Sequence, residues 1–477
     1  MKNFPTVCQV TTESGFCRAE PATPLVETPD VQLLEFGTYE HPFSADSLWN
    51  SRPRQVAFGD FVIPADKFHP LVGGGKYSTT AFLAKPTDSP MTVYPPAGKT
   101  GVWNPDAEQN MPSITIPHWP AETVGAEGSD GHADIVDTET GIIHSFWQLR
   151  KDGERFITEQ YAWTRLDGRG WGDAAHYFQG ARAAGVSSIA GLIRAHEIND
   201  GKDQYFHALA MSLTYSGLSR KEQYVFPATA GDREYQKNFG GMPEGALVML
   251  PPTFDVESIS NPDLRKVVRT LMTFGAYIID RNDGTPFYIY VENGAGYNLH
   301  PGGWKSKTGE DLQAIRAALR QVTYAKGWVN GHGKPMQPPE PMNLLSMRGQ
   351  WKPVVTGGAV PQFDTHAQAA VFGKTGKISH AENASGRSIS NLHWAKPVPG
   401  RTYKFSVYAT NGGAAYLRFW GAGKEQFNTG KLKTDEYATI KWPDCAGTPI
   451  LGVVSGIGEE TLIRCTLTEI INEEKGE

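Results

Sequence analysis

The sequence predicts a mainly β protein: an antiparallel β-sandwich or jelly-roll body with two packed helices, followed by a smaller C-terminal β-sandwich. Its 477 residues include 52 glycines and 33 prolines, a content that favours many turns and short strands over long helices. Alternation of apolar and polar residues with a period of two recurs along most of the chain, and two stretches have helical spacing. The length indicates two or three domains.

The first 35 residues indicate an N-terminal arm or linker. They show no sustained periodicity and contain the segment AEPATPLVETPD, which is rich in proline and polar residues. No continuous apolar stretch follows Met1, so a secretory signal peptide is not predicted.

Residues 36–347 are predicted to form the larger, β-rich domain. Its clearest hairpin is DGHADIVDTETGIIHSFWQL, in which His132, Asp134 and Val136 share one face. The turn DTETG ends at Gly141, a residue suited to a left-handed conformation.

Two helices interrupt these strands. In NPDLRKVVRTLMTFG, Asn261 is the expected N-cap, Pro262 the first helical residue and Gly275 the stop signal. In TGEDLQAIRAALRQV, Thr308 and Asp311 approximate a capping box. The apolar positions of this second stretch recur at helical spacing through Leu312, Ile315, Leu319 and Val322.

Residues 348–477 are predicted to form the second, smaller domain. The proline-rich junction GKPMQPPEPMNLL precedes it. Its strands alternate: TYKFSVYAT places Tyr403 and Phe405 on one face, and AAYLRFWG leaves Tyr416 and Trp420 outside. Short alternating strands at this spacing are typical of a small antiparallel sandwich.

Composition excludes several classes of function. The net charge of −6 and the absence of a Lys/Arg stripe argue against a nucleic-acid partner. No apolar run approaches the length of a membrane span. The motifs G-x-S-x-G, H-E-x-x-H, the Walker loop and G-x-G-x-x-G are absent, and no cofactor is predicted.

The four cysteines do not indicate whether the protein works in an oxidising or a reducing compartment. They fall as Cys8 and Cys17 near the start and Cys445 and Cys465 near the end. Each pair is able to bridge within its own segment, but four cysteines in a chain of this length form neither a disulfide framework nor a zinc-site spacing.

The segment GLIRAHEINDGKDQYFHALAMSL concentrates titratable residues in front of a predicted strand. His207 shares the apolar face of that strand with Leu209 and Met211. One interpretation is a buried histidine bonded to backbone or to Tyr205. The other is that this face lines a cleft, where burial tunes the imidazole for proton transfer.

Arg194 and Glu197 in the same segment also have two interpretations. Arg194 is able to bind a substrate carboxylate through its guanidinium group, or to form a salt bridge with Glu197 or Asp134.

His132 opens a strand directly after the loop AEGSDG, a common position for a catalytic residue. Asp130 or Asp134 is placed to orient its ring, and a surface histidine is the alternative interpretation. A metal shared by His132 and His144 across their hairpin matches no known ligand spacing, and no metal site is predicted.

The many aromatic residues suggest sugar binding, since aromatic rings stack on sugar rings. Three tryptophans adjoin glycine, proline or asparagine in predicted loops and are candidates for exposure: Trp103, Trp119 and Trp171. Trp420, on the outer face of its strand, is a fourth.

The motifs ADSLWN, DGHADIVD, GLIRAHEI, FHAL and FDVESISN resemble, in this order, those of a family of secreted bacterial and fungal β-rich proteins with no settled biochemical function. The resemblance covers roughly residues 40–325. It carries family positions over to Asn50, His132, Arg194, Glu197, His207, Pro227, Asp255 and Asp280.

Two features depart from the family pattern. The segment RLDGRGWGDAAHYFQGARAAG is longer than the resemblance implies, and His144–Ser145 replaces an aromatic residue followed by an acidic one.

The phrase GRTYKFSVYAT is similar to carbohydrate-binding sandwiches appended to phage tail proteins and glycan-active enzymes. Together these resemblances imply a phage tail spike or tail fibre protein, located in the virion tail. It would bind and degrade a bacterial surface polysaccharide, contact other tail proteins through its N-terminal arm, and form a homotrimer.

Two chemistries are open for such an enzyme. In a lyase, Arg194 would neutralise a uronate while His132 and His207 exchange protons. In a hydrolase, Glu197 and Asp134 would flank the scissile bond. The alternative to both is a non-enzymatic receptor-binding or virion decoration protein, in which aromatic residues and Asn50 contact the sugar.

Overall fold

The computed structural model describes residues 34–173, 176–299, 305–338, 344–348, 350–383 and 397–470. It divides the chain into two units, Met1–Leu34 and Glu35–Glu477. The predicted N-terminal arm, with Cys8 and Cys17, lies almost wholly outside the described residues. In the second unit, the predicted mainly β class with two α-helices is confirmed.

The larger part of the second unit contains eighteen strands among the described residues. In chain order they are β1 Arg52–Phe58, β2 Leu71–Gly73, β3 Ala81–Ala84, β4 Met91–Tyr94, β5 Val102–Asn104, β6 Gln109–Met111, β7 Ile114–Ile116, β8 Ala133–Asp137, β9 Ile142–Trp147, β10 Arg150–Asp152, β11 Arg155–Ile157, β12 Gln160–Arg165, β13 Leu209–Leu213, β14 Leu247–Met249, β15 Ala276–Arg281, β16 Phe287–Tyr290, β17 Arg320–Val329 and β18 Pro335–Met336.

These strands form three sheets. The first has the order β1-β17-β14-β15-β13-β16-β2, with β18 beside β17; the second is β3-β8-β9-β12-β5-β6 and the third β10-β11-β4-β7. Although most pairs are antiparallel, five are parallel: β11 with β4, β12 with β5, β13 with β15, β16 with β2, and β3 with β8. The body is therefore a stack of mixed sheets.

Helix α1 spans Pro262–Thr273 and begins as predicted, with the Asn261 side chain accepting the backbone N–H groups of Asp263 and Leu264. Helix α2 spans Lys307–Ala318, and its N-cap is Ser306, whose side chain accepts from the N–H of Gly309. The expected start at Thr308 is thus displaced. The predicted apolar stripe also ends early, because Val322 lies in β17.

Apolar side chains divide the body into layers. One core packs helix residues such as Leu264 and Ile315 on one face of the first sheet, against Leu209 and Met211. A second core fills the space between the first and second sheets, and a third lies between the second and third sheets. The face carrying Leu209 and Met211 is fully buried, so of the two interpretations of this face the sealed core is the one observed, and not the cleft.

The hairpin at residues 132–147 is confirmed. β8 and β9 pair antiparallel, with Asp134 opposite Ser145 and Val136 opposite Ile143. Gly141 has a φ of +69° in the turn between them, a conformation in which a glycine avoids the steric cost of a Cβ.

The predicted C-terminal sandwich is present, and all its strand pairs among the described residues are antiparallel. Its strands are β19 Trp351–Pro353, β20 Gln362–Asp364, β21 Ala369–Phe372, β22 His380–Asn383, β23 Thr402–Ala409, β24 Ala414–Gly421, β25 Lys424–Asn428, β26 Tyr437–Lys441, β27 Gly447–Val454 and β28 Thr461–Glu469. They form the sheets β19-β22-β27-β24-β25 and β20-β21-β28-β23-β26.

The sandwich core confirms the predicted alternation. Tyr403, Phe405 and Leu417 are buried between its two sheets. Cys445 and Cys465 do not pair; both are free thiols. In the described part of the chain, no helix has the length and apolar character needed to cross a membrane.

Candidate functional site

His207 and Glu197 form a buried ion pair just before β13. The Nε2 atom of His207 lies 3.1 Å from Glu197 Oε1 and 3.2 Å from Oε2, and its Nδ1 lies 2.9 Å from the carbonyl oxygen of Ala208. Burial opposes the charged imidazolium, but the Glu197 carboxylate outweighs it and raises the pKa of His207. Both ring nitrogens thus face acceptors, an arrangement that favours the cation and leaves neither nitrogen free to accept a proton.

Glu197 belongs to a short 3-10 turn, Ala195–Glu197, which places its carboxylate back over the start of the turn. Oε2 accepts the backbone N–H of Arg194 at 2.9 Å. Burial raises the pKa of this carboxyl group, but the charge of His207 more than offsets it, and the net pKa is about 2. Glu197 is therefore an ionised, fully engaged carboxylate.

Arg194 is held by groups other than the predicted partners. Its Nε atom donates to Glu292 Oε2 at 3.1 Å, and Nη1 donates to the carbonyl of Tyr39 at 3.0 Å. The guanidinium carbon also lies 4.5 Å from the centre of the Tyr39 ring. These contacts occupy the group that the lyase mechanism assigns to a uronate.

Glu292, which the sequence patterns did not single out, joins three segments of the body. Besides Arg194, it accepts the backbone N–H groups of Ala195 at 2.8 Å and Ala81 at 3.1 Å. It follows directly after Val291 at the end of a strand. The only sequence signal was an acidic residue after the apolar run YIYV.

The cavity beside the His207–Glu197 pair is small. Its volume is about 20 Å³, and Arg194, Trp49 and Asn50 also line it. A cavity needs about 10–15 Å³ of this volume to hold one water molecule, so this cavity has space for about one water and none for a sugar. Arg194, Glu197 and His207 are therefore brought together, but as a closed network.

His132 and Asp134 lie elsewhere, between the first and second sheets. His132 Nδ1 is 3.2 Å from Ser188 Oγ, and burial holds the pKa of His132 well below its usual value. Asp134 is completely buried, and burial raises its pKa to about 6. Neither residue lines the cavity beside His207, so Asp134 and Glu197 do not flank a common cleft.

His132 and His144 do not share a site. His144 Nδ1 lies 2.8 Å from the hydroxyl of Tyr161, within the core between the second and third sheets. No group of three or more metal-binding side chains occurs among the residues that the structure describes.

Two of the predicted exposed tryptophans are buried. Trp119 is 5 % exposed and packs on Phe156, and Trp171 is 0 % exposed and stacks on Trp49 with ring centres 5.3 Å apart. The expectation of exposure was wrong because loops next to glycine or proline here cover the core. Trp103 is half-buried in β5, whereas Trp420 is 49 % exposed, as predicted.

Asn50 is also buried and supports the local backbone. Its Nδ2 group donates to the carbonyls of Pro42 at 3.0 Å and Ser44 at 2.9 Å. These bonds fix the loop that covers the small cavity. Asn50 is only 4 % exposed, so its side-chain amide is not presented to a ligand in solvent.

A much larger cavity, termed here the body cleft, opens on the other side of Glu292. Its volume is about 510 Å³, within the usual range for small-ligand sites. Three segments line it: 74–80 after β2, 124–127 before β8, and 292–297 after β16. Five of the lining residues are glycines, so backbone forms much of the wall.

The outer face of one sandwich sheet carries a second polar and aromatic surface. Along β24, Tyr416, Arg418 and Trp420 point outward while Ala415, Leu417 and Phe419 are buried. We term these three residues, with Glu382 on β22, the sandwich face. The sequence alternation had already placed Tyr416 and Trp420 outside; Arg418 has the same parity.

Glu382 organises the sandwich face. It accepts the hydroxyl of Tyr416 at 2.8 Å and two nitrogens of Arg418 at 2.9 and 3.2 Å. The Tyr416 ring lies directly across the backbone of Gly452 on β27. A phenol, a guanidinium and a carboxylate are thus fixed next to an exposed indole.

Comparisons with known proteins assign no family. No protein family and no curated protein matches the sequence. Among solved structures, the complex of accessory secretory proteins 1, 2 and 3 of Streptococcus pneumoniae is 12% identical, with 27% of this chain and 95% of that chain covered and a TM-score of 0.20.

Two carbohydrate-binding modules are also similar. A family 29 module complexed with cellulohexaose is 13% identical over 27% of this chain and 88% of its own, with a TM-score of 0.18. The C-terminal family 22 module of Clostridium thermocellum Xyn10B is 16% identical over 26% of this chain and 89% of its own, also with a TM-score of 0.18. At these scores the similarities assign neither fold nor function to this chain.

Proposed function

We propose that this protein binds a polysaccharide through the sandwich face. The observation that carries the proposal is the fixed grouping of Tyr416, Arg418 and Glu382 beside the exposed ring of Trp420. Aromatic rings pack on the apolar faces of sugars, and charged groups held in a bidentate pair offer directed hydrogen bonds without further ordering cost.

The spacing of the face suits an extended chain. Tyr416 and Trp420 are four residues apart on one strand, which separates their Cα atoms by roughly 13 Å at the usual strand rise. Arg418 lies between them, so a bound chain that runs along β24 would meet aromatic, charged and aromatic groups in succession.

The setting of the proposal follows the sequence resemblance. We place the protein in a phage tail spike or tail fibre, as a homotrimer whose ligand is a bacterial surface polysaccharide. Degradation of that polysaccharide stays a prediction from the sequence. Binding is favoured because Arg194 and His207 are engaged in the closed network described above.

The test is binding of the whole protein to an array of bacterial surface polysaccharides. Trp420→Ala is expected to weaken binding tenfold or more, the loss typical of an anchoring aromatic residue. The matched control is Tyr437→Ala, which removes an aromatic side chain that is 59 % exposed on the other sheet of the sandwich. Equal binding by wild type and Trp420→Ala would contradict the proposal.

A further inference from the structure

We propose that the body cleft is a second saccharide site, specific for a short neutral glycan segment. The proposal rests on the proposed function, since it assumes that the polysaccharide bound at the sandwich face is also the ligand of the body. It concerns a different set of residues, in a different part of the second unit.

The cleft is preformed because its three wall segments are tied together by hydrogen bonds. The backbone N–H of Gly75 donates to Asn293 Oδ1 at 2.7 Å, and the N–H of Asn293 donates to the carbonyl of Thr79 at 2.9 Å. The N–H of Gly128 donates to the carbonyl of Lys76 at 2.8 Å. Binding to such a site would cost little ordering of the protein.

Arg150 holds the wall formed by residues 124–127 from outside the cleft. Its guanidinium donates to four backbone carbonyls: those of Ala126 at 3.3 Å, Gly128 at 2.5 Å and Ser129 at 3.0 Å, and that of its neighbour Leu149 at 2.8 Å. The floor is fixed by Glu292, whose carboxylate is saturated by Arg194 and two backbone N–H groups. The network of Arg194, Glu197 and His207 therefore supports the cleft floor.

The lining charges favour a neutral ligand. Glu292 is neutralised by Arg194, which leaves Lys76 and Glu127 as the exposed charged side chains of the lining. One cation and one anion give no net attraction for a polyanionic uronate chain. Together they provide donors and acceptors for sugar hydroxyls.

The remaining lining residues supply apolar contact. Val124 is 63% exposed, and the half-buried Tyr297 also contributes to the lining. Sugars present apolar C–H faces between their hydroxyl groups, and an exposed aliphatic side chain in the lining is able to pack on such a face.

The experiment uses the Trp420→Ala variant, in which binding at the sandwich face is weakened, so that binding at the body cleft is measured by itself. Binding of neutral oligosaccharide fragments, prepared from the polysaccharides of the array, is measured for the single variant and after adding Val124→Arg. The long, charged side chain at position 124 is expected to obstruct the cleft and lower the residual binding at least tenfold. Adding Val355→Arg, at a site that is 70 % exposed in the sandwich, is the matched control and should leave it unchanged.

The outcomes separate the two proposals. Complete loss of fragment binding in Trp420→Ala alone, or residual binding that survives Val124→Arg, overturns the cleft proposal and leaves the sandwich face standing. A wild-type protein that binds nothing on the array overturns both. Preference for acidic over neutral fragments in the Trp420→Ala protein would also contradict the neutral ligand class.

Discussion

Glu197 and His207 each keep the other charged, so their contribution to stability depends on pH. The pKa of Glu197 falls from 4.5 to about 2, so its contribution is present above pH 4.5 and is lost as the pH falls through about 2. The pKa of His207 is raised from 6.5, so its contribution is present below pH 6.5 and is lost as the pH rises through the folded-state pKa. Both contributions are complete between pH 4.5 and 6.5.

Glu197→Gln is therefore expected to destabilise the protein most within that window. The lowered pKa corresponds to about 3 kcal/mol at about 1.4 kcal/mol per pH unit, and loss of one partner of a buried pair costs a similar amount. Urea unfolding at about pH 3, 5.5 and 9 measures the gap from wild type. The matched control is Glu154→Gln, at an exposed glutamate, and its free energy of unfolding should equal that of wild type at each pH. A difference between Glu197→Gln and wild type that is constant with pH would contradict the assignment.

At the residue scale, the sequence singled out three side chains that lie together, but it gave no indication of their environment. Arg194, Glu197 and His207 do meet, yet their partners include Glu292, 98 residues from Arg194. His207 was assigned to a strand because its segment alternates. The strand begins only at Leu209, since the N–H of Ala208 bonds to Trp49 instead of a neighbouring strand. Long-range contacts of this kind leave no local signal.

One glycine fixes the position of an aromatic ring in the proposed binding surface. Gly452 faces Tyr416 across β27 and β24, and a Cβ at this position would lie only 2.0–2.5 Å from three atoms of the Tyr416 ring. Gly452→Ala is expected to push the ring away from Glu382, reduce the affinity of the sandwich face several-fold and lower the free energy of unfolding by about 1–3 kcal/mol, as overpacking does.

The matched control is Gly327→Ala in β17. A Cβ there meets nothing within 4 Å, so steric strain is absent. Urea unfolding should show a change within about 0.5 kcal/mol for this control. If Gly452→Ala is equally neutral and binds glycan like wild type, the Tyr416 ring is not held by the glycine.

At the element scale, the sequence predicted the bounds of a helix best where both its start and its stop signals were present. Helix α1 has a cap residue, a proline at its first position and a glycine after its end, and all three lie where they were expected. In helix α2, Ser306 takes the capping role that was expected of Thr308. Its C-terminal apolar positions continued into β17 because pairing with β1 and β14 replaced helical bonding.

At the scale of the whole molecule, the sequence predicted the mainly β class and a core in each of the two predicted domains. It did not predict the order of the strands within the sheets. Alternation gives the buried face of each strand, while parallel pairs such as β3 with β8 join segments that are about 50 residues apart. The body cleft arises where the segments after β2 and β16 come close to the segment before β8. No single stretch of the sequence therefore contains the cleft.

The body and the sandwich are joined by a buried arginine. Arg348 donates to the carbonyl of Asp106 at 2.6 Å and to Glu108 at 2.7 Å, and its guanidinium lies 4.2 Å from the centre of the Tyr177 ring. Beside it, His366 of the sandwich stacks on Trp163 of the body with ring centres 4.4 Å apart. These contacts should make the two parts unfold together.

Arg348→Met is expected to uncouple them. The substitution keeps much of the side-chain volume but leaves the carbonyl of Asp106 without its donor, at a cost of about 1–3 kcal/mol. Differential scanning calorimetry should show one transition for wild type and two for the variant, because the sandwich retains its own core. The matched control is Arg401→Met, at an exposed arginine paired with Glu469, and it should keep the single transition. A single transition for Arg348→Met as well would contradict the role given to Arg348. It would mean that the stacked His366 and Trp163 suffice to hold the two parts together.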